Sequence, residues 1–208
     1  MEEGMAPYGT ITGITGSRKI ISFLKGISLV TAMALVFPLS VIGSSDRFVD
    51  SNDYRDKGFT RCNITDYADM VKGDNVDWVW ASPSQKLSQY NLKVGSAENK
   101  SDLRSKALVE AMKSTFKDNF ADRDIKENKG TLTADLCIYE VQNFNPAKAW
   151  IPFAGGHQMQ AGVGVEMVLI DESGKTVAKF RHFARRGTVA EAAVEEVAGD
   201  LTKYIRKH

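Results

Sequence analysis

The stretch TLTADLCIYEVQNF, residues 131–144, decides the fold. Successive side chains of a strand point to opposite sides, so Leu132, Ala134, Leu136 and Ile138 fall on one face. Thr131, Thr133, Asp135, Cys137 and Tyr139 fall on the other. An apolar row backed by a mainly polar one predicts a half-buried antiparallel strand. Downstream, residues 160–171 repeat the alternation with Val163, Val165, Met167 and Leu169. Glu172-Ser173-Gly174-Lys175 then reads as a hairpin turn, and residues 177–184 return beside that strand.

Upstream, residues 76–81 (VDWVWA) place Val76, Trp78 and Trp80 on one face of a short strand. Tyr90, Leu92 and Val94 alternate in the next, and residues 95–100 read as a loop. Asn99 or Ser101 is positioned to cap a helix running to about Ala121. Its apolar residues Leu103, Ala107, Leu108, Met112, Phe116 and Phe120 recur at three- and four-residue steps, the spacing of one helix face. A last helix opens on the capping-box pair Thr188 and Glu191 and carries Val194, Val197, Leu201, Tyr204 and Ile205 on one side. The order β-β-α-β-β-β-α predicts an α+β fold: a mostly antiparallel sheet of about five strands with two helices packed on one face. Residues 71–208 form that single domain, residues 46–70 read as a linker or irregular segment, and residues 1–45 as a signal peptide or anchor helix.

The reading of residues 1–45 rests on charge and length. Arg18, Lys19 and Lys25 form a basic flank, and no charge follows from Gly26 until Asp46. The apolar centre from Ile27 to Phe37 has the length of a signal-peptide core and is short for crossing a bilayer roughly 30 Å thick. Pro38 interrupts a helix there, and Val41 and Gly43 suit the residues before a cleavage point. A cleaved signal leads, ahead of a retained inner-membrane anchor and a buried core helix. Each export reading puts the body in the periplasm or the cell envelope, with membrane contact through the apolar segment if it is retained.

Composition narrows the partners. The chain is 43% hydrophobic and 25% charged, which is the profile of a globular protein and not a disordered one. Setting residues 1–43 aside leaves 24 basic and 24 acidic residues. A neutral body lacks the positive field that nucleic acid rewards, so nucleic acid is excluded as the main partner. Cys62 and Cys137 are the two cysteines. In an oxidising compartment they form a candidate disulfide, with two separately buried thiols as the alternative.

No motif fixes a reaction, and no catalytic, cofactor-binding or metal-binding residue is assigned. Gly155-Gly156 and Gly162-x-Gly164 precede and enter a strand, whereas a phosphate cradle opens a helix. The glycines read instead as close backbone approach. His157 and His182 have no ligand-spaced neighbours, and Asp135 and Glu166 read as solvated strand carboxylates. Two features form a candidate interaction patch. Trp150, Ile151, Pro152 and Phe153 gather apolar bulk in one loop, and Arg181, Arg185 and Arg186 gather charge at one hairpin end.

The strand TLTADLCIYEV, the Gly-x-Gly strand GVGVEMVLID, the Ser-Gly turn, the returning strand and the C-terminal helix together resemble a group of uncharacterised bacterial envelope proteins, many of them lipoproteins. The resemblance spans residues 76–205 and implies an envelope location without an activity. The lipidated cysteine of the lipoprotein members is missing. The expected function is a non-enzymatic exported envelope protein, a small binding or assembly module for an envelope protein or glycan. A periplasmic hydrolase or carbohydrate-acting enzyme and a membrane-anchored structural protein are the alternatives.

Overall fold

The computed structural model describes residues 46–208 apart from 124, 126 and 147–158. The apolar segment within residues 1–45, His157 and the Trp150–Phe153 loop therefore lie outside the described residues.

Among the described residues, five strands form one mixed sheet in the order β1-β5-β4-β3-β2. They are β1 (Trp78–Ala81), β2 (Asn91–Asn99), β3 (Thr131–Gln142), β4 (Gly162–Ile170) and β5 (Thr176–Arg185). A short helix α1 (Asn52–Arg55) precedes them, α2 (Lys106–Ala121) joins β2 to β3, and α3 (Ala190–Lys207) closes the chain. The pairs β1–β5, β5–β4 and β4–β3 are antiparallel. The pair β2–β3 is parallel, which corrects the expectation for residues 131–144. Its cause is α2, a crossover long enough to return the chain to the same end of the sheet.

Alternation alone hid two boundaries. Residues 95–99 belong to β2 and not to a loop, because a bulge between Val94 and Ala97 breaks the two-residue rhythm. The Asp135 carboxylate fills that bulge, accepting from the Ser96 amide at 2.7 Å. The cap of α2 is Ser105, whose hydroxyl accepts from the Leu108 amide at 3.2 Å. Asn99 and Ser101 are instead bonded to one another and to the Leu103 carbonyl. Thr188 is also displaced from its expected role, since α3 begins after Val189 without a side-chain cap. The hairpin turn is as read: Asp171 Oδ1 accepts from the amides of Ser173 and Lys175, and Gly174 takes a positive φ of 83°.

One face of the sheet carries the main core. Leu132, Leu136, Val163, Val165, Met167 and Phe180 meet Leu108, Met112, Phe116 and Phe120 of α2 and Val194, Val197, Leu201 and Ile205 of α3. The opposite face is also covered. Residues 46–70, read above as a linker or irregular segment, place Phe48, Ile64, Tyr67 and Met70 against Trp78 and Val168 in a second buried cluster. Phe48 is fully buried at its centre, its ring 5.1–5.5 Å from those of Tyr54, Phe59, Tyr67 and Trp78. A segment with little secondary structure thus forms a third layer, held by aromatic packing.

The glycines of β4 serve that layer. The rings of Phe183 and Tyr139 lie directly over Gly162 and Gly164, where a β-carbon would overlap them. Gly164→Ala is expected to cost about 1–3 kcal/mol, the usual penalty of overpacking. Gly199→Ala, on an open turn of α3, is expected to gain roughly 0.5–1 kcal/mol from helix propensity. Urea denaturation of the two variants, with midpoints moving in opposite directions, checks both.

Candidate functional site

The register places Cys137, Glu166, Arg181 and Trp78 side by side in one row across β3, β4, β5 and β1. Each meets the third layer by a different chemistry. Cys137 is disulfide-bonded to Cys62, with Cα atoms 5.8 Å apart. Glu166 is fully buried, and its Oε1 accepts from the Tyr67 hydroxyl at 2.8 Å and from Arg181 Nη1. Its Oε2 accepts from the Ile64 amide at 3.2 Å. Arg181 also donates to the Thr60 carbonyl at 2.9 Å. Its guanidinium stacks 3.5 Å from the Tyr139 ring centroid and 4.4 Å from that of Phe59. The indole N–H of Trp78 donates to Asp53 at 3.0 Å. Burial raises the Tyr67 hydroxyl, and the Glu166 charge raises it further, so it stays protonated and donating.

These contacts revise several residues singled out from sequence. Glu166 is a buried ion-pair partner and not a solvated carboxylate, and Asp135 sits opposite Val168, away from it in register. Arg181 points inward, so the hairpin-end strip reduces to the exposed Arg185 and Arg186. Arg185 donates to Gln142 at 2.8 Å, and Arg186 pairs with Glu195 and Glu196. Beyond the candidate disulfide, what the sequence did not reveal is that Ile64 and Tyr67 reach Glu166, 102 and 99 residues later. The signal present was Cys62 beside an aromatic-rich run.

His182 extends the polar wiring to the helix side. It is buried, with Nδ1 3.1 Å from Asp77 and Nε2 3.1 Å from Asp200 of α3. Burial opposes its charging, but the bonds to the two carboxylates outweigh burial and raise its pKa. Burial likewise opposes ionisation of Asp77, yet His182 and the Phe183 amide hold its carboxyl below the ordinary value.

Between the third layer and the sheet lies a cavity of about 430 Å³. Asp53, Asp56, Gly58 and Phe59 form one wall. Asp77, Trp78, Tyr139, Glu140, Gln142, Arg181, Phe183 and Arg185 form the other. Among the described residues, no three His, Cys, Asp or Glu side chains converge as metal ligands do.

No family model and no curated protein matches the chain. Among solved structures it is similar to a PelC dodecamer from Paraburkholderia phytofirmans, at 15% identity and a TM-score of 0.34, over 62% of this chain and 92% of that one. It is also similar to a dodecamer of a PelC variant from the same organism, at 17% identity and the same TM-score, over 62% and 91%. Those scores fall short of a shared fold.

Two predictions follow from the buried groups. Glu166→Leu strands a buried guanidinium and is expected to cost about 3–5 kcal/mol, whereas Glu166→Leu with Arg181→Met recovers most of that loss. A denaturant double-mutant cycle measures the difference. For His182 the folded pKa lies above the unfolded value of about 6.5, so its stabilisation is complete below that value and fades as pH rises through the raised folded one. Unfolding free energy measured from pH 6 upward (roughly, the imidazole range) is expected to fall, and His182→Gln to flatten that slope.

Proposed function

We propose that the chain is an exported envelope protein whose folded domain is a small, non-catalytic binding or assembly module. In this reading the apolar segment within residues 1–45 is its signal peptide or inner-membrane anchor. The observation that carries it is the Cys62–Cys137 disulfide, which joins the third layer to the sheet across 75 residues of chain. Bonds of this kind persist in oxidising compartments and are rare where glutathione keeps thiols reduced. Closing a loop of that length stabilises the fold by about 4 kcal/mol in the chain-entropy model.

A binding role fits the cavity better than catalysis because its titratable side chains already have structural partners. Asp53 holds Trp78, Asp77 holds His182 and the Phe183 amide, and Arg181 holds Glu166 and Thr60. A general acid or base must change its protonation in each turnover, and here such a change would loosen a layer. The exposed Arg185 and Arg186 remain candidates for contact with another envelope component.

Fractionating the host, sequencing the N-terminus and alkylating thiols before reduction tests this reading. A periplasmic chain beginning after Gly43, or an intact chain in the membrane fraction, is expected, with both cysteines protected until reduced. A cytoplasmic chain beginning at Met1 or Met5, with both thiols alkylated at once, overturns it.

A further inference from the structure

We infer that β2 pairs antiparallel with the β2 of a second copy of this chain, about a two-fold axis between Gly95 and Ser96. This names a partner for the assembly-module reading, and it rests on the sheet edge and not on export. The two edge strands of the sheet are β1 and β2. The outer side of β1 is covered, since Val71 exchanges both backbone hydrogen bonds with Val79 at 2.9 Å. Among the described residues β2 has a partner strand, β3, on one side only. The amides of Asn91 and Lys100, at its two ends, donate to the Gly130 and Ile138 carbonyls on the β3 side. Backbone groups along a strand turn alternately to either side, and the bulge between Val94 and Ala97 adds one residue to the count. Lys93 and Glu98 therefore also turn to β3, while the N–H and C=O groups of Leu92, Val94, Ala97 and Asn99 point outward. An open row of this kind is a template for a further strand.

The bulge makes that row complementary to itself. Leu92, Val94, Ala97 and Asn99 stand beside Leu132, Ala134, Leu136 and Ile138 on the helix side of the sheet. Lys93 and Glu98 stand beside Thr133 and Cys137 on the opposite face. In a regular strand residues five apart take opposite faces, and only the extra residue brings Lys93 and Glu98 onto one. The axis then sets Leu92 opposite Asn99 and Val94 opposite Ala97 of the second copy, in hydrogen-bonded pairs made by the outward groups. Lys93 falls opposite Glu98 in the intervening non-hydrogen-bonded pairs, where side chains approach nearest. Glu98 already meets Lys100 of its own chain at 2.8 Å, and a half-exposed carboxylate has room for a second ammonium. A bulge and a lysine ordinarily protect an edge, and against an unrelated strand they do so here. Between two copies in this register the bulges coincide and each lysine meets a carboxylate. Sliding by two residues sets Lys93 against Lys100 instead. The axis also brings the end of one β2 beside the beginning of the other. Leu103, 43% exposed, follows the strand at its end. A groove of about 330 Å³ lined by Leu92, Val94, Phe120 and Ala121 opens at its beginning. Two apolar features without an internal partner thus fall at the same place.

The test is sedimentation equilibrium of the oxidised protein as isolated from its host, over a range of concentrations, with charge-reversal variants. A reversible dimer is expected. Lys93→Glu and Glu98→Lys should each weaken it about 10-fold, because the axis turns two attractive pairs into two repulsive ones at once. Mixing equal amounts of these two variants should restore the dimer, since in the mixed pair each changed side chain again faces its opposite. The double variant Lys93→Glu with Glu98→Lys should dimerise like the parent. Unchanged melting temperatures in dilute solution show that the single variants still fold. A monomer up to roughly 1 mM, a dimer indifferent to both reversals, or a loss that mixing does not restore overturns the inference. Those results leave the export reading untouched, whereas a reduced cytoplasmic chain that dimerises as described refutes export and leaves the pairing standing.

Discussion

The Glu166–Arg181 pair is the contact on which the third layer depends. Both charges are withdrawn from water, and their attraction offsets that desolvation only when the remaining polar atoms are also bonded. Tyr67, Ile64 and Thr60 supply those bonds, and Tyr139 and Phe59 cover the guanidinium. Every one of these partners except Tyr139 comes from the segment ahead of the sheet. The layer therefore satisfies the pair, and the pair fixes where the layer sits. Removing either side leaves the other with an uncompensated charge or an unsupported aromatic cluster.

The two sides of β5 divide the work. Arg181 turns toward the third layer, while His182, its neighbour, turns toward α3. Asp77 stands between these regions, lining the cavity and bonding His182 at the same time. The charge that Asp77 presents to the cavity and the proton on His182 draw on one carboxylate, so the helix side and the cavity are not electrostatically independent.

Periodicity made the main architecture legible. The apolar rows of residues 131–144 and 160–171, the turn at Gly174 and the helix stripe from Leu108 to Phe120 all correspond to elements of the structure. Leu103 and Ala107, counted in that stripe from sequence, are exposed, and Leu103 precedes the helix. The parallel pairing of β2 and β3 was not legible, because alternation reports which face a side chain takes and says nothing of strand direction. The third layer was hidden for a related reason: its apolar residues Phe48, Ile64, Tyr67 and Met70 follow no repeat, so they register neither as strand nor as helix. Of the polar site, only the two cysteines stood out. A buried Glu and Arg on neighbouring strands look like solvated charges until the register sets them side by side.

The position of the third layer in the chain has a consequence for how the molecule is made. Residues 46–70 leave the ribosome ahead of the sheet, yet their seats on β3, β4 and β5 are synthesised 75 to 121 residues later. Contacts of such separation are slow to form, since a long loop must close before they are rewarded. Phe48, Tyr54, Phe59 and Tyr67 can pack on one another early, but they lack their cover from Trp78 and Val168 until the sheet exists. Vectorial synthesis makes the first part of the domain to appear the last to dock, and the interval between is when the chain is most exposed to aggregation.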